Sequence, residues 1–481
     1  MKNKKTYLKK ILSHANVIKN SATLHTYYHN DFKIFNNFEH LLNESENRYG
    51  KTKTNQFLNL FDSIYRAILL EFRNDSIFLS PSMLSTLIYF EWKSNSLLFI
   101  DKTIESLYLY GINKHSYIIF PLVKFGISKS GIKMFFSKKL SLSLNLKESI
   151  FFPQTNDHNK TILSISNYIQ QSENKKPNLD LKLIAHYLKS RPLEWFNKNP
   201  IAILKIKSTF SSYYENEFII SKILEKEIAK LIILNISQKK KYLAKTNSDI
   251  STLNVNNFST KDIKHYLYLY KQKDKTIPVA IPLHEGRGFV SELINTNLDI
   301  FLHKGSPSAN TLEIFNFIDL VYNIILSKKI KGEEFNFYMR IISSLEFLRR
   351  SISTRIGIDK WIYFGSALEI LLSEGVKGVI TETIKINGAF LIKTKQESLY
   401  KKIETIYDNR SKAIHQGTET EDSIKDFYST YTEIFHGLIK LIKKKKLDLK
   451  LKRPLNDFIK KSIVNGKLTK WEKKKISDRI Q

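Results

Sequence analysis

The chain has 481 residues, 42% of them hydrophobic and 12% aromatic. That is enough for two to four domains with sizeable cores and too apolar for a disordered protein. It carries 77 Lys and Arg against 46 Asp and Glu, a formal net charge of +31. The charge points to a polyanion, nucleic acid or an anionic membrane. Only 12 of the 77 cations are arginine, so an AT-rich codon bias toward lysine is an equal account. Cysteine is absent, which excludes disulfides and cysteine-ligated zinc. No apolar run reaches the length of a membrane span, and the basic N-terminus lacks a signal-peptide core. A soluble, cytoplasmic protein is expected.

Taken in order, residues 55–72 read as a helix, because Phe57, Phe61, Ile64 and Ile68 recur at helical spacing. Residues 97–110 predict another. The texture then changes. Tyr117-Ile118-Ile119-Phe120 precedes a proline, and Leu140, Leu142, Leu144 and Leu146 alternate with polar residues. Gly126 and Gly131 punctuate the stretch as turns, so a small sheet is expected around 117–153. Residues 156–160 and 172–178 read as loops, 181–188 as a short helix and 217–236 as a longer amphipathic helix. The lysine-rich stretch 237–261 reads as a linker. Residues 276–282 are extended, since Pro278 and Pro282 oppose a helix.

From residue 310 the periodicity is consistently helical. Five helices are expected, over 311–327, 335–353, 360–373, 396–415 and 421–445. The fourth ends at Gly417, a natural stop. Short connections favour an antiparallel bundle. The expected fold is therefore an α+β N-terminal region over 1–300, mostly helical with a small sheet, followed by an all-α bundle over 305–446. A basic lysine-rich tail, read as a solvated end, occupies 447–481.

The fourth helix carries the most suggestive chemistry, Arg410-Ser411-Lys412-Ala413-Ile414-His415. Arginine presents a permanent fork of donors suited to phosphate, and histidine titrates near neutral pH. Together they form a minimal kit for cleaving an RNA backbone without a metal. On spacing alone, an Arg and a His on a solvated helix end is the better reading. The surrounding sequence changes that balance.

Three blocks appear in order. The first is Phe347-Leu348-Arg349-Arg350-Ser351-Ile352-Ser353. The second runs Asp359-Lys360-Trp361-Ile362-Tyr363-Phe364-Gly365-Ser366-Ala367-Leu368-Glu369-Ile370-Leu371-Leu372. The third is Tyr407-Asp408-Asn409-Arg410-Ser411-Lys412-Ala413-Ile414-His415-Gln416-Gly417. With these blocks, residues 310–446 resemble the HEPN superfamily, specifically an Apea-like HEPN domain. One departure is Gln416, standing where such sequences often run His-Gly directly.

The resemblance implies a metal-independent endoribonuclease, of the toxin or antiviral-defence kind, acting on RNA as a homodimer through the bundle. It implies Arg410 and His415 as the catalytic pair, with no cofactor and no metal. Glu369, at the edge of its helix's apolar stripe, is expected to anchor Arg410. Asn409 and Ser411 flank the arginine and are expected to orient phosphate or cap the turn. Tyr407 is expected in the core or an interface. Residues 1–300 would act as a sensor or restraint. The alternative is a non-catalytic HEPN module that binds RNA or a partner protein.

Other constellations carry less. His25 and His29 stand four apart, but no acidic third ligand lies nearby. His284-Glu285-Gly286-Arg287-Gly288 reads as a turn without the strand–helix context of a phosphate loop. His436 is expected to be a partly buried bundle residue.

Overall fold

The computed structural model describes, toward the N-terminus, residues 61–72, 77–79, 81–94, 98–109, 116–121, 125–127, 149–152, 157–173, 181–189, 201–208, 213–242, 265–272, 275–282 and 298–300. Toward the C-terminus it describes 308–327, 330–354, 356–375, 380–392, 395–418 and 427–465, with a few single residues elsewhere. Within these it is mostly helical, with a six-stranded sheet and a separate two-stranded one.

Residues 61–72 are helical, followed by β1 (Ile77–Phe78), α1 (Pro81–Ser94) and α2 (Phe99–Leu109). Their apolar faces form a small core of their own, in which Phe61, Phe72 and Trp92 are fully enclosed. The expected helices here stand.

The sheet is larger than its predicted span. It combines β2 (Ser116–Pro121), β4 (Ser149–Phe152), β5 (Ile201–Ser208), β6 (His265–Gln272) and β7 (Lys275–Pro282) with the short β1. The short strand β3 (Phe125–Ile127) instead pairs in parallel with β8 (Leu298–Ile300). β5 lies inside the sheet, antiparallel to β2 on one side and to β4 on the other. Tyr117 to Phe120 and Ile201 to Leu204 are each buried without a break. Both faces of these strands are therefore covered, and that explains their continuous apolar runs. β6 and β7 form an antiparallel hairpin with Gln272 opposite Lys275. The alternating leucines at 140–146 lie outside the described residues.

Helix α3 (His158–Glu173) begins inside a stretch read as loop. Asp157 accounts for this: its carboxylate accepts the N–H of Asn159 at 2.8 Å and caps the helix. Helix α4 (Leu181–Lys189) matches its prediction.

Helix α5 (Tyr213–Tyr242) is longer than expected and is not amphipathic. From Ser221 to Ile236 every residue except Lys222 is buried. It packs against the bundle helices α6 (Ala309–Ser327), α7 (Gly332–Ser353) and α11 (Tyr428–Lys443) and against β8. The apolar core built by the bundle thus continues through α5 into the sheet. α5 also buries Glu225, Lys226, Glu227 and Lys230. Charges in such a place need partners. Glu225 takes Lys222 at 2.6 Å and the hydroxyl of Tyr322 on α6 at 2.9 Å. Lys230 bonds Glu227 at 3.2 Å and pairs with Asp319 of α6, and Lys226 approaches the same two carboxylates.

The bundle contains α6, α7, α8 (Gly357–Leu372), α9 (Ile380–Leu391), α10 (Gln396–Gln416) and α11. α7 and α8 form a hairpin laced by two serines. Ser344 donates to the carbonyl of Ala367 at 2.7 Å and meets the Tyr431 hydroxyl at 2.8 Å. Seven residues on, Ser351 donates to the carbonyl of Lys360 at 2.8 Å and meets the Tyr428 hydroxyl at 3.0 Å. Burial raises both tyrosine hydroxyls well above their ordinary pKa. α9 was not expected. Its run of Ile and Thr has poor helix propensity, which tertiary burial of Ile384, Ile386 and Phe390 overrides.

Residues 454–464, predicted as solvated tail, instead form helix α12 (Pro454–Val464). It opens with proline at its first position, where no N–H is needed. Glu374, just past α8, accepts the N–H groups of Leu455 at 3.0 Å and Asn456 at 2.9 Å. Leu455 and Ile459 are buried.

Removing one member of the α5 charge cluster should strand the others. Lys230→Met is expected to lower unfolding stability by about 3–5 kcal/mol in a denaturant titration. Burial also raises the Glu225 carboxyl above its usual value, with Lys222 opposing. Its native state therefore holds a proton to higher pH than the unfolded chain does. The stability this contributes is present below the ordinary carboxylate value and is lost as pH rises through the folded one. Glu225→Gln should remove that pH-dependent loss, seen as a flatter midpoint-against-pH curve.

Candidate functional site

α10 carries the Arg–His motif and lies against α8. The two run antiparallel: a Cβ added at Gly388 of α9 would meet both Leu372 of α8 and Ile403 of α10, whereas further along Arg410 lies on Gly365 of α8. The Tyr407 hydroxyl donates to the carbonyl of Gly365 at 3.1 Å, and its ring is buried, as expected. Burial pushes that hydroxyl's pKa far up; the charge of Glu369 adds to the shift and Arg410 opposes it.

Arg410 crosses α8 over Gly365. A Cβ there would come within contact of the arginine Cδ and within 3.2 Å of its Cγ and Nε. Glycine inside a helix loses about 0.5–1 kcal/mol relative to alanine, and here the missing side chain makes room for the arginine stem. Nη2 of Arg410 then pairs with Glu369 at 3.0 Å. The guanidinium stands 5.5 Å from the centre of the Tyr407 ring. Its Nε is buried and has no hydrogen-bond partner among the described residues. The arginine is thus oriented by one carboxylate, one ring and one glycine.

His415 is placed differently. α10 runs on through Gln416 and ends at Gly417, whose φ of 62° is left-handed. His415 is exposed in the last turn, and its side chain makes no hydrogen bond or ion pair among the described residues. Five residues at about 100° each place it about 140° around α10 from Arg410. Arg410 faces α8 while His415 faces outward. Within one chain the two do not converge on a single point.

Glu369 lies where expected, on Arg410. Asn409 is buried, so it does not line an exposed phosphate site beside the arginine. Ser411 is exposed and stands four residues before His415, on the histidine's face. The exposed strip of α10 therefore holds Asp408, Ser411, Lys412 and His415.

The paired arginines of the first block divide their work. Arg349 is buried and makes two bonds to Glu346, at 2.7 and 2.6 Å. Arg350 donates Nε to the same carboxylate at 3.0 Å and keeps its side chain 40% exposed. These cations hold the Glu346 carboxyl below its usual pKa against the effect of burial. His436 is largely buried and bonds Glu313 at 2.7 Å, tying α11 to α6. His25, His29 and the 284–288 segment lie outside the described residues.

Sequence reasoning missed Gly365. The available signal was a glycine in the middle of an apolar helix, which calls for a close neighbour. Among the described residues, no group of three or more His, Asp or Glu is gathered as a metal site would need. Among them, too, no helix is long and apolar enough to cross a membrane. Comparison with family models, curated proteins and solved structures finds no match to this chain.

Gly365→Ala should drive the Arg410 stem off α8. It is expected to lower stability by about 1–3 kcal/mol in thermal unfolding and to release Arg410 from Glu369. Arg410→Ala placed on top of Gly365→Ala should recover part of the loss.

Proposed function

We propose that this protein is a metal-independent endoribonuclease of the HEPN type, acting as a homodimer. The observation that carries the reading is a divided site. One chain holds Arg410 rigidly beside Glu369, and presents His415 exposed on another face of the same helix end. Two copies meeting at the C-terminal end of α10 would bring two imidazoles and two guanidiniums to one phosphodiester.

The chemistry follows from the residue types. One His415 takes the proton of a ribose 2′-hydroxyl, whose oxygen attacks phosphorus. The His415 of the second copy protonates the departing 5′-oxygen. The products are a 2′,3′-cyclic phosphate and a free 5′-hydroxyl, with no water consumed in the step. Arg410 holds the phosphate and offsets charge as it builds on the equatorial oxygens. Glu369 is a positioning residue: by occupying Nη2 it leaves the rest of the fork pointed by the Tyr407 ring. The net charge of +31 draws RNA in at low salt. A cytoplasmic toxin or antiviral-defence effector, restrained by the N-terminal region through α5, is the biological role that fits.

His415→Ala should reduce cleavage of total RNA by about two to four orders of magnitude while the fold persists. Arg410→Lys should also fail, since an ammonium lacks the fork. EDTA should have no effect, and a 2′-deoxy group at the scissile position should block cutting. Undiminished cleavage by His415→Ala, or loss in EDTA, defeats the mechanism. Binding of RNA without cleavage by the wild type would leave a non-catalytic RNA-binding module.

A further inference from the structure

Beside the Arg410 shoulder, α8 has a second one. Tyr363 leaves the helix two residues before Gly365, hence about 160° around from it. Its ring lies 6.2 Å from that of Phe347 on α7, at an angle of 54°. The guanidinium of Arg350 stands 5.9 Å from the Phe347 ring centre, with its side chain 40% exposed. Both rings are half-buried, and between the two shoulders Ile362 and Ser366 are half-exposed. The α7–α8 hairpin is held in place by the Ser344 and Ser351 bonds, so these groups sit on rigid elements.

Fixed aromatic edges beside an oriented arginine suit a nucleobase and its phosphate. Every base has a π-face, and arginine adds attraction to both ring and phosphate. Arg349 saturates much of the Glu346 carboxylate, which leaves the cluster of one carboxylate and two guanidiniums net positive. A positive, aromatic and rigid surface is complementary to single-stranded RNA, and an exposed cation at its centre disfavours a dry protein interface. From Arg410 the shoulder is about one helix diameter away, roughly 10–12 Å, the span of a few nucleotides.

We infer that Tyr363, Phe347 and Arg350 form a base-stacking subsite for single-stranded RNA, beside the scissile phosphate held at Arg410. The inference rests on RNA as the partner. It assigns Tyr363 to stacking and Arg350 to the neighbouring phosphate.

The test measures binding of a 2′-O-methylated single-stranded RNA, which cannot be cut through its 2′-oxygen, to the full chain by fluorescence anisotropy. Tyr363→Leu should weaken binding about 5- to 150-fold with an unchanged salt slope. Tyr363→Phe should bind like wild type. Arg350→Gln should lower the slope of log affinity against log salt by about 0.7, one phosphate contact on a single strand. Circular dichroism should confirm that each variant is folded. Three outcomes overturn the inference: no binding by wild type, unchanged affinity in Tyr363→Leu, or a Tyr363→Leu variant altered only in its state of association by light scattering. Cleavage of unmodified RNA, measured in parallel, separates the two readings. A wild type that binds through Tyr363 but cuts nothing ends the nuclease proposal and leaves this subsite standing.

Discussion

The buried charges of α5 are the constraint on which the rest of the structure depends. The middle of this helix gains from burying Ile223, Leu224, Ile228, Leu231 and Ile232 wherever it is placed. That gain is non-directional. Glu225, Glu227 and Lys230 are different, because each needs a partner at a set distance. Tyr322 and Asp319 on α6, one helical turn apart, supply them to Glu225 and Lys230, while Glu227 bonds Lys230 within α5. A shift of α5 by one residue along α6 would strand charges in the core. The ion pairs therefore set register, while the apolar surface supplies the driving force. Because α5 also belongs to the core shared with the sheet, the N-terminal region and the bundle are not independent.

The same logic, on a smaller scale, positions the candidate site. Arg410 is oriented because Gly365 lets it lie close to α8 and Glu369 receives its end. α8 is in turn held on α7 and α11 by Ser344, Ser351 and their two tyrosines. Close approach recurs at Gly437 of α11, where an added Cβ would lie 2.7 Å from the carbonyl oxygen of Leu391. The bundle has tight crossings at Gly365, Gly388 and Gly437.

Much of this was legible in the residues. The spacing of Tyr338, Ile341, Leu345 and Leu348, and of Tyr431, Phe435 and Leu438, marks helices whose inward faces are those found buried. Gly417 marks the end of α10, and its left-handed φ supplies the reason. α9 was not legible, since β-branched residues lower helix propensity and only burial reverses the balance. α12 was not legible either: it lies in a lysine-rich tail, and the carboxylate that caps it comes from Glu374, some eighty positions earlier. The internal strand at 201–208 was not legible, because its continuous apolar run over Ile201 to Leu204 has no period.

By itself, the sequence determined the local quantities: which stretches are helical, which faces are apolar, and that Arg410 and His415 stand five apart on one helix. These depend on periodicity, and periodicity is written in neighbouring residues. Only the tertiary structure decided that Arg410 is turned onto Glu369 while His415 faces outward, and that Asn409 is buried while Ser411 is exposed. It alone placed Tyr363 beside Phe347 and Arg350, and enclosed the 221–236 stretch of α5. The physical reason is that each of these depends on which neighbouring helix covers which face. That choice is made by charges and glycines distant in the chain, and no local pattern records it.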